Sequence, residues 1–115
     1  MLVAVGNHWP SRLGGARESE AYRIIAGETL AYFLARIEEV RGDDTPILVL
    51  GDFNDEPGDR SLTDHALSAR ARNQVLYAST PRLLNLMWPL MGRGLGTHYH
   101  GAQATDSPAP HLQQI

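Results

Sequence analysis

The residues best able to do chemistry stand at the ends of two apolar runs. The run Pro46-Ile47-Leu48-Val49-Leu50 gives way to Gly51-Asp52-Phe53-Asn54-Asp55-Glu56-Pro57. In an extended segment, residues two apart point to the same side. Asp52 and Asn54 are therefore expected to project together, with Phe53 turned away into packing. An ionised carboxylate beside a carboxamide offers one anionic acceptor and one neutral donor–acceptor group. Such a pair can orient a water, hold a hard divalent cation or contact a phosphoryl oxygen. The same residues also make an ordinary Asx turn, and the tetrapeptide alone leaves both readings open.

The first apolar run, Leu2-Val3-Ala4-Val5-Gly6, ends in the same way, in Asn7-His8. A His there can donate to a phosphate oxygen or shuttle a proton near neutral pH. It can equally be a loop residue with satisfied hydrogen bonds. Two buried strands that both end in polar dipeptides make the rim of a site. Of the arginines close to this rim, Arg12 is a candidate for substrate phosphates. Arg17 and Arg23 read as surface or packing residues, Arg23 paired with Glu20 or holding the loop after the first strand. His98 and His100 have the spacing of a metal pair on one strand face, but with no third ligand in view they read as surface or packing. Gly92-x-Gly94-x-Gly96 precedes a strand and not a helix, so it is no dinucleotide fingerprint.

The elements that must position these residues follow from periodicity. Residues 2–6 read as a buried strand, and the segment from Asn7 to Gly15 as a loop. A helix is expected from Glu18 to Arg41, with Tyr22, Ala26, Leu30, Phe33, Ile37 and Val40 on its apolar face. Gly27 weakens that helix by about 1 kcal/mol against Ala. Arg41, Gly42 and Pro46 form a stop signal. Residues 46–50 show no alternation, which predicts a strand buried on both faces. If the two strands pair in parallel, the unit is a right-handed strand–helix–strand crossover in an α/β fold. Downstream, Ser61 to Arg72 reads as a weaker helix with Ser61 and Asp64 in a capping arrangement, and Leu83 to Met87 as a short helix. A strand is expected to begin at Thr97. Residues 101–115 have no periodicity and read as an unstructured or frame-shifted tail.

Composition bounds the function. The chain has 115 residues, enough for one small domain. Its formal charge of −3 argues against a nucleic-acid binder that works through a broad basic face, though not against a locally basic cleft. All of its basic residues are Arg, which grips phosphates and carboxylates bidentately. The absence of cysteine removes disulfides, thiolate zinc sites and Cys nucleophiles together. No apolar run approaches the roughly 18 residues of a membrane span. The opening Met-Leu-Val-Ala-Val-Gly lacks the charged region of a signal peptide and reads as a strand. Compartment and oligomeric state are not legible.

Taken together, Asn7-His8-Trp9-Pro10-Ser11-Arg12, Gly14-Gly15, Ser19-Glu20, Arg23 and the run from Pro46 to Pro57 resemble the endonuclease/exonuclease/phosphatase superfamily, in its bacterial deoxyribonuclease-I-like branch. Leu83-Leu84-Asn85-Leu86-Met87 and Gly96-Thr97-His98-Tyr99 continue the likeness, which covers about residues 1–100. The resemblance implies a fold of two packed β-sheets with flanking helices, and Mg2+- or Mn2+-dependent hydrolysis of a phosphate ester such as DNA or RNA. By similarity, Asp52 would orient or deprotonate the attacking water, and Asn54 would contact the scissile phosphate. Both are candidate metal ligands. His8 would donate to a phosphate oxygen with Asn7 supporting it, and Arg12 would bind substrate.

Three parts of the family pattern have no counterpart. These are an upstream Glu that holds the principal metal, an Asp soon after the Gly-Thr-x-Tyr strand, and a terminal Ser-Asp-His strand. Asp106 and His111 lack the surroundings of the last two. The expectation is therefore a partial α/β sandwich, a fragment of a larger domain, poorly soluble and nearly inactive in isolation. The same core could serve a phosphatase or lipid phosphodiesterase, which the low basicity mildly favours, or persist as a non-catalytic remnant.

Overall fold

The computed structural model describes residues 1–99 and 112–113. Their order is β1 (Val3–His8), α1 (Glu20–Arg41), β2 (Ile47–Asp52), a π-helix (Ser61–His65), β3 (Ser68–Ala69), α2 (Arg72–Leu76), β4 (Leu83–Leu84), α3 (Trp88–Met91), β5 (His98–Tyr99) and β6 (Leu112–Gln113). β1 and β2 pair in parallel, from Val3 opposite Ile47 to His8 opposite Asp52. β3 pairs with β4 in parallel and β5 with β6 antiparallel. The described residues are thus α/β, with three two-stranded sheets.

The ladder runs further than the apolar run. Asn7 and His8 belong to β1 and not to the loop, which starts at Trp9. Gly51, the partner of Asn7, explains itself. With φ at 137°, it lies so close to β1 that a Cβ would stand 1.9 Å from the Asn7 carbonyl oxygen. Only glycine carries both that backbone and that contact.

β2 is covered on one face, not two. Ile47 and Val49 turn inward with Val5 towards Trp9, Leu30, Leu34, Leu62 and Ala66. Leu48 and Leu50 stay 46% and 49% exposed on the other face. A missing alternation in sequence meant apolar residues on both sides, but among the described residues α1 and the π-helix occupy one side only.

α1 starts at Glu20, and its buried stripe differs from the expected one. Arg23, Gly27, Leu30 and Leu34 are buried, while Tyr22, Phe33 and Val40 are 63%, 55% and 69% exposed. The aromatic residues suggested a face about one position away from the true one. Gly27 shows why: a Cβ there would stand 2.3 Å from the Ser61 carbonyl oxygen. The π-helix presses on α1 at that point, so the helix faces inward on its small residue. Arg41 closes the last turn, and the N–H of Gly42 donates to Glu38 O at 2.8 Å.

The downstream helices are also redrawn. The expected helix over residues 61–72 is a π-helix, a bend and β3, with α2 starting at Arg72. Leu67 takes a left-handed φ of 58° and ends the helical path. The expected helix over residues 83–87 is instead β4 followed by α3, which has Pro89 in its first turn. The strand expected from Thr97 appears as β5, whereas His100 and the tail, apart from residues 112–113, lie outside the described residues.

Candidate active site

The carboxyl ends of β1 and β2 are bound together by the residues that follow them. The backbone N–H of Trp9 donates to Asp52 O at 2.8 Å. The Asn54 side-chain amide donates to Trp9 O at 2.9 Å. Trp9 is buried and meets Phe53 edge-on, with ring centroids 5.1 Å apart. Phe53 therefore turns into packing, as the period of two required.

His8 and Asp52 are both exposed and, as register partners of even position, share the open face of the sheet. Asn54 does not stay beside Asp52. It adopts a left-handed φ of 53° and is buried, a backbone that Asn tolerates better than most residues. The Asp52 carboxylate accepts the Asn54 N–H at 3.0 Å, which is an Asx turn. Of the two readings of the tetrapeptide, the Asx turn is the one formed, and the expected joint projection of Asp52 and Asn54 is not: Asp52 caps the turn with one oxygen and is itself exposed, while Asn54 is buried.

Asn7 lies on the opposite face of β1 from His8. Its Nδ2 donates to Val5 O at 3.2 Å, and its Oδ1 accepts Trp9 Nε1 at 3.1 Å. It supports Trp9, and through Trp9 the turn, with no bond to His8.

Arg12 leans over the loop after β2. Its Nε is 3.7 Å from Asp55 Oδ1 and its Nη2 is 3.6 Å from Asp59 Oδ2. Arg23 is not the surface partner of Glu20 but, as the alternative reading has it, holds the loop after β1, through Ala16 O and Ser19 Oγ. It is 1% exposed and donates to Asp55 Oδ1 at 2.7 Å. Ser61, expected to cap a helix with Asp64, instead donates its hydroxyl to Asp55 Oδ2. Burial pushes the Asp55 carboxyl above the ordinary carboxylate value, against the pull of the Ser61 hydroxyl and the Arg23 guanidinium; Asp59 adds to the rise and Arg12 opposes it. Sequence reasoning passed over this cluster. The available signal was the spacing of Arg23 from Gly27, Leu30 and Leu34, since a charge on a buried stripe needs a partner.

The donors around the strand ends bear on whether a divalent cation could bind here. Asp52 supplies one outward carboxylate, and the Asn54 amide nitrogen is directed at Trp9. Among the described residues, no three His, Asp or Glu side chains converge as a metal cluster. Hard cations fill their coordination from carboxylates, carbonyls and waters, Mg2+ often with only one or two carboxylates, and of these residues the exposed Asp52 carboxylate is the one that could supply such a ligand.

Residues 1–104 match the family described as the Endonuclease/Exonuclease/phosphatase family. No curated protein and no solved structure gives a significant match.

Proposed function

We propose that this chain, which belongs to the endonuclease/exonuclease/phosphatase family, carries the phosphate-binding half of a phosphodiester-cleaving, nuclease-type site. The observation that carries the reading is the register of β1 and β2: His8 and Asp52 sit opposite one another at the carboxyl ends of parallel strands and on one open face. Ligands of open α/β sheets bind beyond that end.

Each side chain has a task there. The outward oxygen of Asp52 accepts a proton from, and orients, the attacking water. His8 donates a hydrogen bond to a phosphoryl oxygen as charge develops on it. The Arg12 guanidinium takes a second phosphate oxygen. Asn54 holds the Asp52 turn to Trp9 and so fixes the distance between the two strand ends. Phosphoryl transfer needs little covalent work from the protein beyond positioning and charge stabilisation. Members of the family generally act with a divalent metal ion, and Mg2+ or Mn2+ when bound would add positive charge next to the phosphate. Of the residues here, Asp52 would supply a carboxylate ligand to that ion.

The test is hydrolysis by the full chain of plasmid DNA, an RNA, a phosphate monoester and a choline phospholipid. Each is run with Mg2+, with Mn2+ and with a chelator. Diester cleavage that Asp52→Ala abolishes supports the reading. Turnover of the monoester or lipid alone would replace it with a phosphatase or lipid phosphodiesterase. No turnover of any substrate would leave a non-catalytic remnant.

A further inference from the structure

Asp55 follows Asn54 directly, yet its side chain is only 2% exposed. Three segments converge on it. Arg23 of α1 donates through Nε to one carboxylate oxygen, and Ser61 of the π-helix donates to the other. Arg23 also donates through Nη1 to Ser19 Oγ at 2.6 Å and through Nη2 to Ala16 O at 2.7 Å. All three of its nitrogens are used inside the protein, so Arg23 is closed to substrate.

Arg12 differs. It approaches the same carboxylate at 3.7 Å and Asp59 at 3.6 Å, both beyond hydrogen-bond reach. Its Nε is buried and has no hydrogen-bond acceptor. A carboxylate already bonded to Arg23 and Ser61 attracts Arg12 without satisfying it. The buried Nε is therefore the end of the guanidinium held against Asp55, and the terminal nitrogens of a side chain that is still 19% exposed are the donors left for a ligand.

Resting on the phosphoesterase reading above, we propose that Asp55 is a positioning residue: held by Arg23 and Ser61, it fixes Arg12 at the rim with its donors directed to an anionic phosphate oxygen. Asp55 touches no substrate itself. It acts by aim, since a guanidinium misplaced by about 1 Å can cost ~10²-fold in rate.

The test uses the full 15N-labelled chain. The Nε–H resonance of Arg12 is assigned by its loss in Arg12→Lys, and its solvent exchange is followed with and without inorganic phosphate. Asp55→Asn keeps the shape of the side chain and can bond both Arg23 and Ser61, but removes the charge that draws Arg12. The expected result is exchange faster by about tenfold or more in Asp55→Asn and a few fold in Ser61→Ala, with a cooperative thermal melt retained. Unchanged exchange in folded Asp55→Asn overturns the proposal. Should that variant fail to fold, Ser61→Ala decides in the same way, because it keeps the charge and frees one carboxylate oxygen.

Activity on bis(4-nitrophenyl) phosphate separates aim from folding. In Asp55→Asn, kcat should fall by about tenfold or more while KM does not rise. A merely structural loss would reduce the active fraction and leave exchange in the folded molecules unchanged. A raised KM with unchanged kcat overturns the proposal. If the wild type hydrolyses no ester, the phosphoesterase reading fails and the exchange measurement still decides whether Asp55 holds Arg12.

Discussion

His8 and Asp52 are register partners in the last rung of a parallel ladder, and the next backbone bond, Trp9 N–H to Asp52 O at 2.8 Å, closes the strand ends over them. Two loops that leave different strands are thereby fixed to one origin. Asp52→Asn should therefore be an informative variant. The amide can still accept the Asn54 N–H, so the turn persists and stability should change by less than about 1 kcal/mol. Removing the proton acceptor should lower turnover by about 10²–10³. Paired thermal melts and initial rates check both halves.

Asn7 and His8 are neighbours in sequence and opposites in space, so their variants should separate. His8 is exposed, and His8→Ala should cost turnover with stability unchanged to within about 0.5 kcal/mol. Asn7→Ala leaves the buried Trp9 indole N–H without its acceptor. That should cost about 1–3 kcal/mol, with any loss of activity following the loss of folded protein. Urea titration beside steady-state kinetics distinguishes the two. Turnover lost in folded Asn7→Ala with intact stability would return Asn7 to a direct role beside His8.

Much of this was legible because apolar runs, helical periodicity and stop signals are local. The two strands, the helix between them and the polar strand ends are legible in residues 2–8, 18–41 and 46–54; the parallel pairing that brings those ends together is not, because another strand could lie between them. What failed depends on neighbours far along the chain. Tyr22 and Phe33 look like core by type, but the π-helix needs a small residue at Gly27 and turns the helix about its axis to present it. Ser61 looks like a cap, but a buried carboxylate from the loop after β2 claims its hydroxyl. The open face at Leu48 and Leu50 was missed because apolar residues describe what a face could bury, not what covers it.

Gly27 gives a prediction in which two principles oppose each other. Helix propensity favours Gly27→Ala by about 1 kcal/mol. A Cβ 2.3 Å from the Ser61 carbonyl forces apart α1 and the π-helix, and overpacking of that kind costs about 1–3 kcal/mol. The contact is with backbone, which cannot rotate away, so destabilisation should win. Chemical denaturation should show a lower midpoint for Gly27→Ala. A raised midpoint would mean that the π-helix can move off α1 without cost.

The Arg23–Asp55 pair sets the last expectation, and its two sides are not equivalent. Arg23→Met removes three hydrogen bonds and leaves Asp55 buried beside an apolar chain. Breaking a buried pair in this way costs about 3–5 kcal/mol, a large share of the stability of a small domain. Asp55→Asn should be milder, because it removes a charge that burial makes costly and still offers partners to Arg23 and Ser61. The sign with pH follows from the raised value. A carboxyl that binds its proton more tightly folded than unfolded contributes stability that is fully present below the unfolded value of 3.8 and lost as pH rises through the higher folded value. The stability of the wild type relative to Asp55→Asn should therefore decline as pH is raised from about 3.5 towards 7. Urea midpoints of the two proteins measured across that range check it. A relative stability that instead rises with pH would show that Arg23, Arg12 and Ser61 together outweigh burial, and that Asp55 is ionised at lower pH folded than unfolded.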